Sequence, residues 1–243
     1  MLAKSTILNS PGGAADRPRH FTLLLAGLFL FFMMAPLSWL IKIHLDSEIG
    51  TALIVSVLSV DILFAALIAS DRPRDRAIAF LLAGPSVVAY AVCLIAGNNL
   101  LWGIAHALGI VFLGHAMIVV GRFVFRETRV TWNTVSAALC IYLLFGIAYG
   151  LFYCLLFVLD PSSFAFSRQE QSAGIFDSQS LINGIYYSLI TMTTLGYGDI
   201  VPVTPVTRMA AGVQALLGQL YVAVLVARLV GMQVADSIRN RHE

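Results

Sequence analysis

Six apolar runs, at 21–43, 49–70, 77–96, 100–121, 135–159 and 206–232, take up more than half of this 243-residue chain. Each is close to the ~20 residues that an α-helix needs to cross the hydrocarbon core of a bilayer. In that core no water is available to satisfy the backbone, and a helix pairs its own N–H and C=O groups within one segment. With 59% hydrophobic and 12% charged residues, the chain has too little polar surface to keep six such helices in water. A soluble domain is excluded, and six transmembrane helices are predicted.

Basic residues sort the ends of these runs into two sets. Lys4, Arg17 and Arg19 precede the first run. Arg72, Arg74 and Arg76 lie between the second and third, and Arg122, Arg126 and Arg129 between the fourth and fifth. Arg239 and Arg241 follow the last, with Arg228 near its inner end, whereas Lys42, Arg168 and Arg208 fall on the other side. An excess of Lys and Arg marks the cytoplasmic side. Both termini are therefore expected in the cytoplasm of a multi-pass protein of the cell's inner (plasma) membrane. Residues 1–20 read as a disordered tail rather than a signal peptide, because Gly12, Gly13 and polar residues interrupt them and no small-residue cleavage pattern follows. Residues 234–243 read as a second, short cytoplasmic tail. Cys93, Cys140 and Cys154 fall inside apolar runs and are expected as buried thiols with no disulfide.

Between the fifth and sixth runs lies Thr194-Leu195-Gly196-Tyr197-Gly198-Asp199. Glycine at alternate positions permits backbone angles that residues with a β-carbon avoid, so that a nearly extended segment can turn its carbonyls to one side. A ring of carbonyls can replace the water shell of a weakly hydrated cation, and several rings in a row let one ion displace the next. Asp or Glu side chains would hold such an ion too tightly. Residues 185–193 read as the end of a short helix N-capped by Ser180 and carrying an aromatic pair, Tyr186 and Tyr187. Ile-Val-Pro-Val-Thr follows at 200–204, and Gly218 falls twenty positions after Gly198. From the fifth run to the C-terminus, this constellation resembles the pore domain of the potassium channel superfamily.

The resemblance implies an all-α membrane protein of six transmembrane helices, with a re-entrant pore helix and selectivity filter between helices 5 and 6. It divides the chain into a tail (1–20), a four-helix domain (21–130), a pore domain (131–233) and a second tail. The carbonyls of Thr194, Leu195, Gly196 and Tyr197, with the Thr194 hydroxyl and Gly198 completing the segment, would hold K⁺. Tyr186 would hydrogen-bond Asp199, and Tyr187 would reach Tyr197. Gly218 would be a hinge, and Gln219, Val222 and Val226 would line the cavity and gate. One chain supplies one filter strand, which cannot encircle an ion, so a homotetramer is expected. The other partners expected are K⁺ as the conducted ion and the lipid bilayer, with no cofactor and no nucleic acid. Leu195 stands where Val or Ile is commoner. Only its carbonyl faces the ion, so selectivity is expected to survive while packing behind the filter changes. Ile190 stands where some members carry a carboxylate.

The front half resists the label of a voltage sensor. Sensing needs several charges in the field, each worth ~2.3 kcal/mol per 100 mV, yet residues 100–121 hold no Lys or Arg. Asp61, in the second run, is an expensive carboxylate and hence a functional candidate. Helical rise puts it near the depth of His115, so the two could meet as a proton-sensitive modulatory pair, although an Asp61 neutralised by a proton or hydrogen-bonded to a Ser or Tyr is the favoured reading. His106 lies on the opposite helix face from His115, so the two cannot share a metal. Gly146 and Gly150 form G-x-x-x-G, a close-packing pattern in membranes. No nucleophile–base pair, metal cluster or phosphate-cradling loop is present, and no enzyme is expected. The alternatives are a non-selective cation channel and a K⁺ transporter subunit.

Overall fold

The computed structural model describes residues 21–44, 63, 73–96, 98–127, 130–166 and 180–239. The second predicted span, Asp61 included, lies outside the described residues apart from Leu63. Among the described residues the α-helices are α1 Phe21–His44, α2 Pro73–Ala96, α3 Asn99–Arg126, α4 Trp132–Leu159, α5 Ser180–Met192 and α6 Pro205–Arg239. Among the described residues, four stretches are long and apolar enough to cross a membrane: Pro73–Cys93, Asn99–Arg126, Trp132–Leu159 and Pro205–Ala235. The chain is a multi-pass membrane protein of mostly helical fold.

Local chemistry sets the helix ends. The Asn98 side chain accepts from the Leu100 N–H at 2.9 Å and starts α3. Thr131 does the same for α4 through the Thr134 N–H at 3.2 Å. α6 opens on Thr204, whose hydroxyl oxygen accepts from the Thr207 N–H, with Pro205 at the first helical position, where a missing N–H costs nothing. So short a connection between α3 and α4 makes them antiparallel neighbours. The larger apolar cluster among the described residues runs across α1–α5, including Phe21, Leu28, Phe112, Leu113, Leu144 and Ile185, and a second one gathers Tyr153, Phe164, Tyr187, Ile190 and Ile200. α3 extends beyond the predicted boundary at 121 to Arg126, because charge ends an apolar run without ending the helical hydrogen bonding, and arginine stems lie along apolar surface.

α5 lies in a groove of α4 made by small residues. A β-carbon on Gly150 would sit 2.7 Å from the Ile185 Cα, and one on Gly184 would sit 2.8 Å from the Gly150 carbonyl oxygen. Beyond α4, Asp160 caps a single 3₁₀ turn, Pro161–Ser163. The chain next forms β1, Phe164–Phe166, which pairs antiparallel with β2, Ile200–Pro202, Ala165 opposite Val201. This ribbon is a local addition to a mostly helical fold. Two three-residue segments carry no readable period, and they pair because the folded chain brings them together. The Ser163 carbonyl fastens the ribbon by accepting from the Val203 N–H (2.9 Å) and the Thr207 hydroxyl (3.0 Å).

α6 buries one narrow stripe, containing Thr207, Gln214 and Gly218, against α4 and α5. Met209, Leu216, Leu220, Val226 and Val230 stand exposed on the rest of its circumference. Among the described residues nothing covers this apolar surface.

Candidate ion-conduction site

The site begins where α5 ends. The Leu195 N–H donates to the Ile190 carbonyl at 2.8 Å, and the Thr194 N–H to the Thr191 carbonyl at 3.0 Å. Together with a left-handed Thr194, at φ 60°, this pair of bonds is a Schellman motif, which satisfies the otherwise orphaned carbonyls of a helix end. Gly196 adds its N–H to the same Ile190 carbonyl at 3.1 Å, and Gln219 Nε2 donates to the Met192 carbonyl at 3.2 Å. Thr193 closes on Leu189 through both its N–H and its hydroxyl. The last four carbonyls of α5 thus all have partners. The position past a helix end is usually glycine, and a β-branched residue with positive φ is an outlier. Strain of this kind, of order ~1–3 kcal/mol, persists where the surroundings over-determine it and clusters at functional positions.

From Thr194 onward the backbone alternates. Thr194, Gly196 and Gly198 have φ of 60°, 52° and 80°, while Leu195 and Tyr197 do not have positive φ. An ordinary strand points successive carbonyls to opposite sides, whereas alternation between left- and right-handed angles turns them to the same side. The N–H groups of Leu195 and Gly196 are turned back into the protein. Among the described residues, no hydrogen bond ends on the carbonyls of Thr194, Leu195, Gly196 or Tyr197. A row of four carbonyl dipoles is left free to meet a cation.

The walls of the segment are built from α5 and the ribbon. The Tyr186 hydroxyl donates to Asp199 Oδ2 at 2.6 Å, and Asp199 Oδ1 accepts from the Ile200 N–H at 3.1 Å. Tyr187 packs edge-on against Tyr153 and Phe164, with ring centroids 4.8 and 5.3 Å away. Tyr197 is 67% and Leu195 53% exposed, so one chain covers only one side of the segment.

On α6, Gly218 sits at the end of α5. A β-carbon there would lie 2.6 Å from the Met192 Cγ and 2.9 Å from its carbonyl oxygen. α6 continues as helix through this position, and close approach is what the glycine provides in this conformation. Val222 and Val226 lie on the uncovered face. Three polar residues without an assigned place in the sequence reading, Tyr153, Ser188 and Gln214, are buried together behind α5. A buried Gln in an apolar span was the available signal.

The front half places its candidates elsewhere. His115 Nε2 lies 3.2 Å from the Asp75 carbonyl oxygen at the start of α2, and Arg122 reaches the Asp75 carboxylate at 3.4 Å. His106 is buried, with Nδ1 against the Trp102 carbonyl. Arg228 of α6 donates to the Glu127 carbonyl at 3.2 Å and lies over the Phe125 ring, tying α6 to the end of α3.

Residues 137–234 match a family model described as an ion channel. Two pore potassium channel a of Oryza sativa subsp. japonica is 30% identical over 125 residues, 51% of this chain and 30% of that protein. Two-pore potassium channel 5 of Arabidopsis thaliana is 33% identical over 72 residues, 30% of this chain and 17% of that protein. Potassium voltage-gated channel protein shk-1 of Caenorhabditis elegans is 34% identical over 79 residues, 32% of this chain and 14% of that protein. The chain spans less than a third of the length of each of these relatives. No solved structure matches it significantly. The T-L-G-Y-G-D segment, held as described, lies within the part of the chain that matches the ion-channel family, and over that part the chain is similar to potassium channels.

Proposed function

We propose that the protein is a K⁺-selective channel, conducting passively through a filter completed by four copies of the chain. The observation that carries this reading is the alternating backbone at Thr194, Gly196 and Gly198, with N–H groups turned inward and four carbonyls left unpaired. K⁺ sheds its water where carbonyl oxygens replace it, and stacked sites allow fast transfer between them. A single chain leaves Leu195 and Tyr197 open and the greater part of α6 without cover. Neighbouring copies cover both, and bring a contact between Tyr187 and Tyr197 within reach. Both termini face the cytoplasm of the inner (plasma) membrane in this reading, by the distribution of Lys and Arg. The test is the reversal potential of the purified chain in liposomes with K⁺ and Na⁺ on opposite sides. It should lie close to the K⁺ equilibrium potential, and a value near zero would refute the reading.

Opening should depend only weakly on voltage. α3 carries no basic residue before Arg122, and Arg122 and Arg126 stand at its end, the former paired with Asp75. With no Lys or Arg of α3 to move through the field, a conductance–voltage curve should show a slope of less than about one elementary charge per subunit. A slope requiring several charges per subunit would contradict this.

A further inference from the structure

A closed circuit of hydrogen bonds lies behind α5. Gln214 of α6 has no exposed surface, and neither have Ser188 of α5 and Tyr153 of α4. Gln214 Nε2 donates to the Ser188 carbonyl at 3.2 Å and to Ser188 Oγ at 2.6 Å. Its Oε1 accepts from the Tyr153 hydroxyl at 2.7 Å. The Ser188 hydroxyl in turn donates to the Gly146 carbonyl at 2.5 Å. All four donor hydrogens of the three side chains are used, and the circuit touches three helices.

Ser188 stands two residues before Ile190, whose carbonyl receives the N–H groups of both Leu195 and Gly196. The small-residue groove fixes how closely α5 lies on α4, and the hydrophobic attraction across it is itself non-directional. Hydrogen bonds in a low-dielectric interior are directional, and breaking one there is costly. We propose that Tyr153, Gln214 and Ser188 are positioning residues for the filter. They fix the rotation of α5, and through the Ile190 carbonyl they fix the side to which the filter turns its carbonyls. The circuit is separate from the Tyr186–Asp199 contact at the other end of the segment. Loss of the Gln214 amide leaves the Tyr153 hydroxyl and Ser188 Oγ short of partners, and the cheapest relief is a rotation of α5 that draws Ile190 away from the filter.

The consequence for selectivity rests on the K⁺-channel reading, whereas the consequence for the filter backbone can be measured without it. Two readouts on the full chain in liposomes separate them: amide hydrogen exchange over residues 190–198, and the K⁺/Na⁺ permeability ratio. Gln214→Leu should speed filter exchange and lower the permeability ratio about tenfold each, the scale of one unsatisfied buried hydrogen bond, with the assembled size unchanged. Tyr153→Phe should act in the same direction by about threefold. The double variant should be no worse than Gln214→Leu alone, since members of one network are not additive. If Gln214→Leu does not assemble, Tyr153→Phe, which removes a single oxygen, carries the test. Filter exchange equal to the parent's in an assembled variant, or additive effects in the double variant, would overturn the proposal. A parent without K⁺ preference whose filter exchange still responds to Gln214→Leu would instead overturn the conduction reading and leave the circuit standing.

Discussion

Gly196→Ala and Gly198→Ala should each abolish K⁺ flux, by a hundredfold or more, while the protein stays folded in the membrane. Gly196 and Gly198 hold φ of 52° and 80°, where an L-residue costs roughly 1–2 kcal/mol. In a filter made from four chains that strain is incurred four times around one ion path, on the order of 4–8 kcal/mol in all. The backbone escapes it by reverting to negative φ, which turns a carbonyl away from the shared side and removes a ring of ligands. Each ~1.4 kcal/mol of lost ion binding is tenfold. The fold should survive, because a β-carbon at either position meets no heavy atom of its own chain within 4 Å. Flux through liposomes and the amount of assembled protein separate the two effects. A Gly196→Ala protein that conducts K⁺ selectively at the parent rate would remove the basis for assigning 194–198 as the filter.

Gly150→Ala should do the opposite kind of damage, acting on assembly before conduction. Its added carbon would meet the Ile185 Cα at 2.7 Å and the Ile185 N at 3.0 Å, backbone atoms that have no alternative rotamer. α4 and α5 must part, which opens the crossing where Gly184 already lies against the Gly150 carbonyl. Overpacking of this kind costs about 1–3 kcal/mol per chain, enough to lower the thermal midpoint in detergent by about 5–10 °C. Gly146→Ala, four residues away in the same G-x-x-x-G pattern, is the control. Its added carbon would meet the Leu189 Cδ2 and the Met192 Cε at 3.1 Å, ends of flexible side chains that can move. A Gly150→Ala protein as stable as Gly146→Ala would show that the helices are not held this closely.

The contrast between these glycines marks how far the sequence could be read. G-x-x-x-G announced a close helix contact without saying which helix would fill it or which glycine would matter more. Gly218 was legible by its spacing from Gly198, yet the hinge role does not describe what it does in this conformation, where it admits Met192. Asp61 and His115 were paired by depth alone. Asp61 lies outside the described residues, and His115 has the Asp75 carbonyl as its neighbour, a contact across forty residues that helical rise along two separate spans could not anticipate.

What the sequence determined by itself was local: four of the six apolar runs, which are found among the described residues as helices long and apolar enough to cross a membrane, and the place where alternating glycines free the backbone to turn its carbonyls. Both follow from properties of a few consecutive residues, hydropathy in one case and allowed φ in the other. The tertiary structure alone decided that Thr194 closes a helix end in the left-handed region, that Phe164–Phe166 pairs with Ile200–Pro202, and that Tyr153, Ser188 and Gln214 meet behind α5. A helix that is apolar all round carries no stripe to show which face meets which neighbour, because a lipid tail and a packed side chain are equally good apolar surroundings. Which face turns inward is then settled by shape and by a few buried polar groups, partners as much as 61 residues apart that find one another only when the helices are packed.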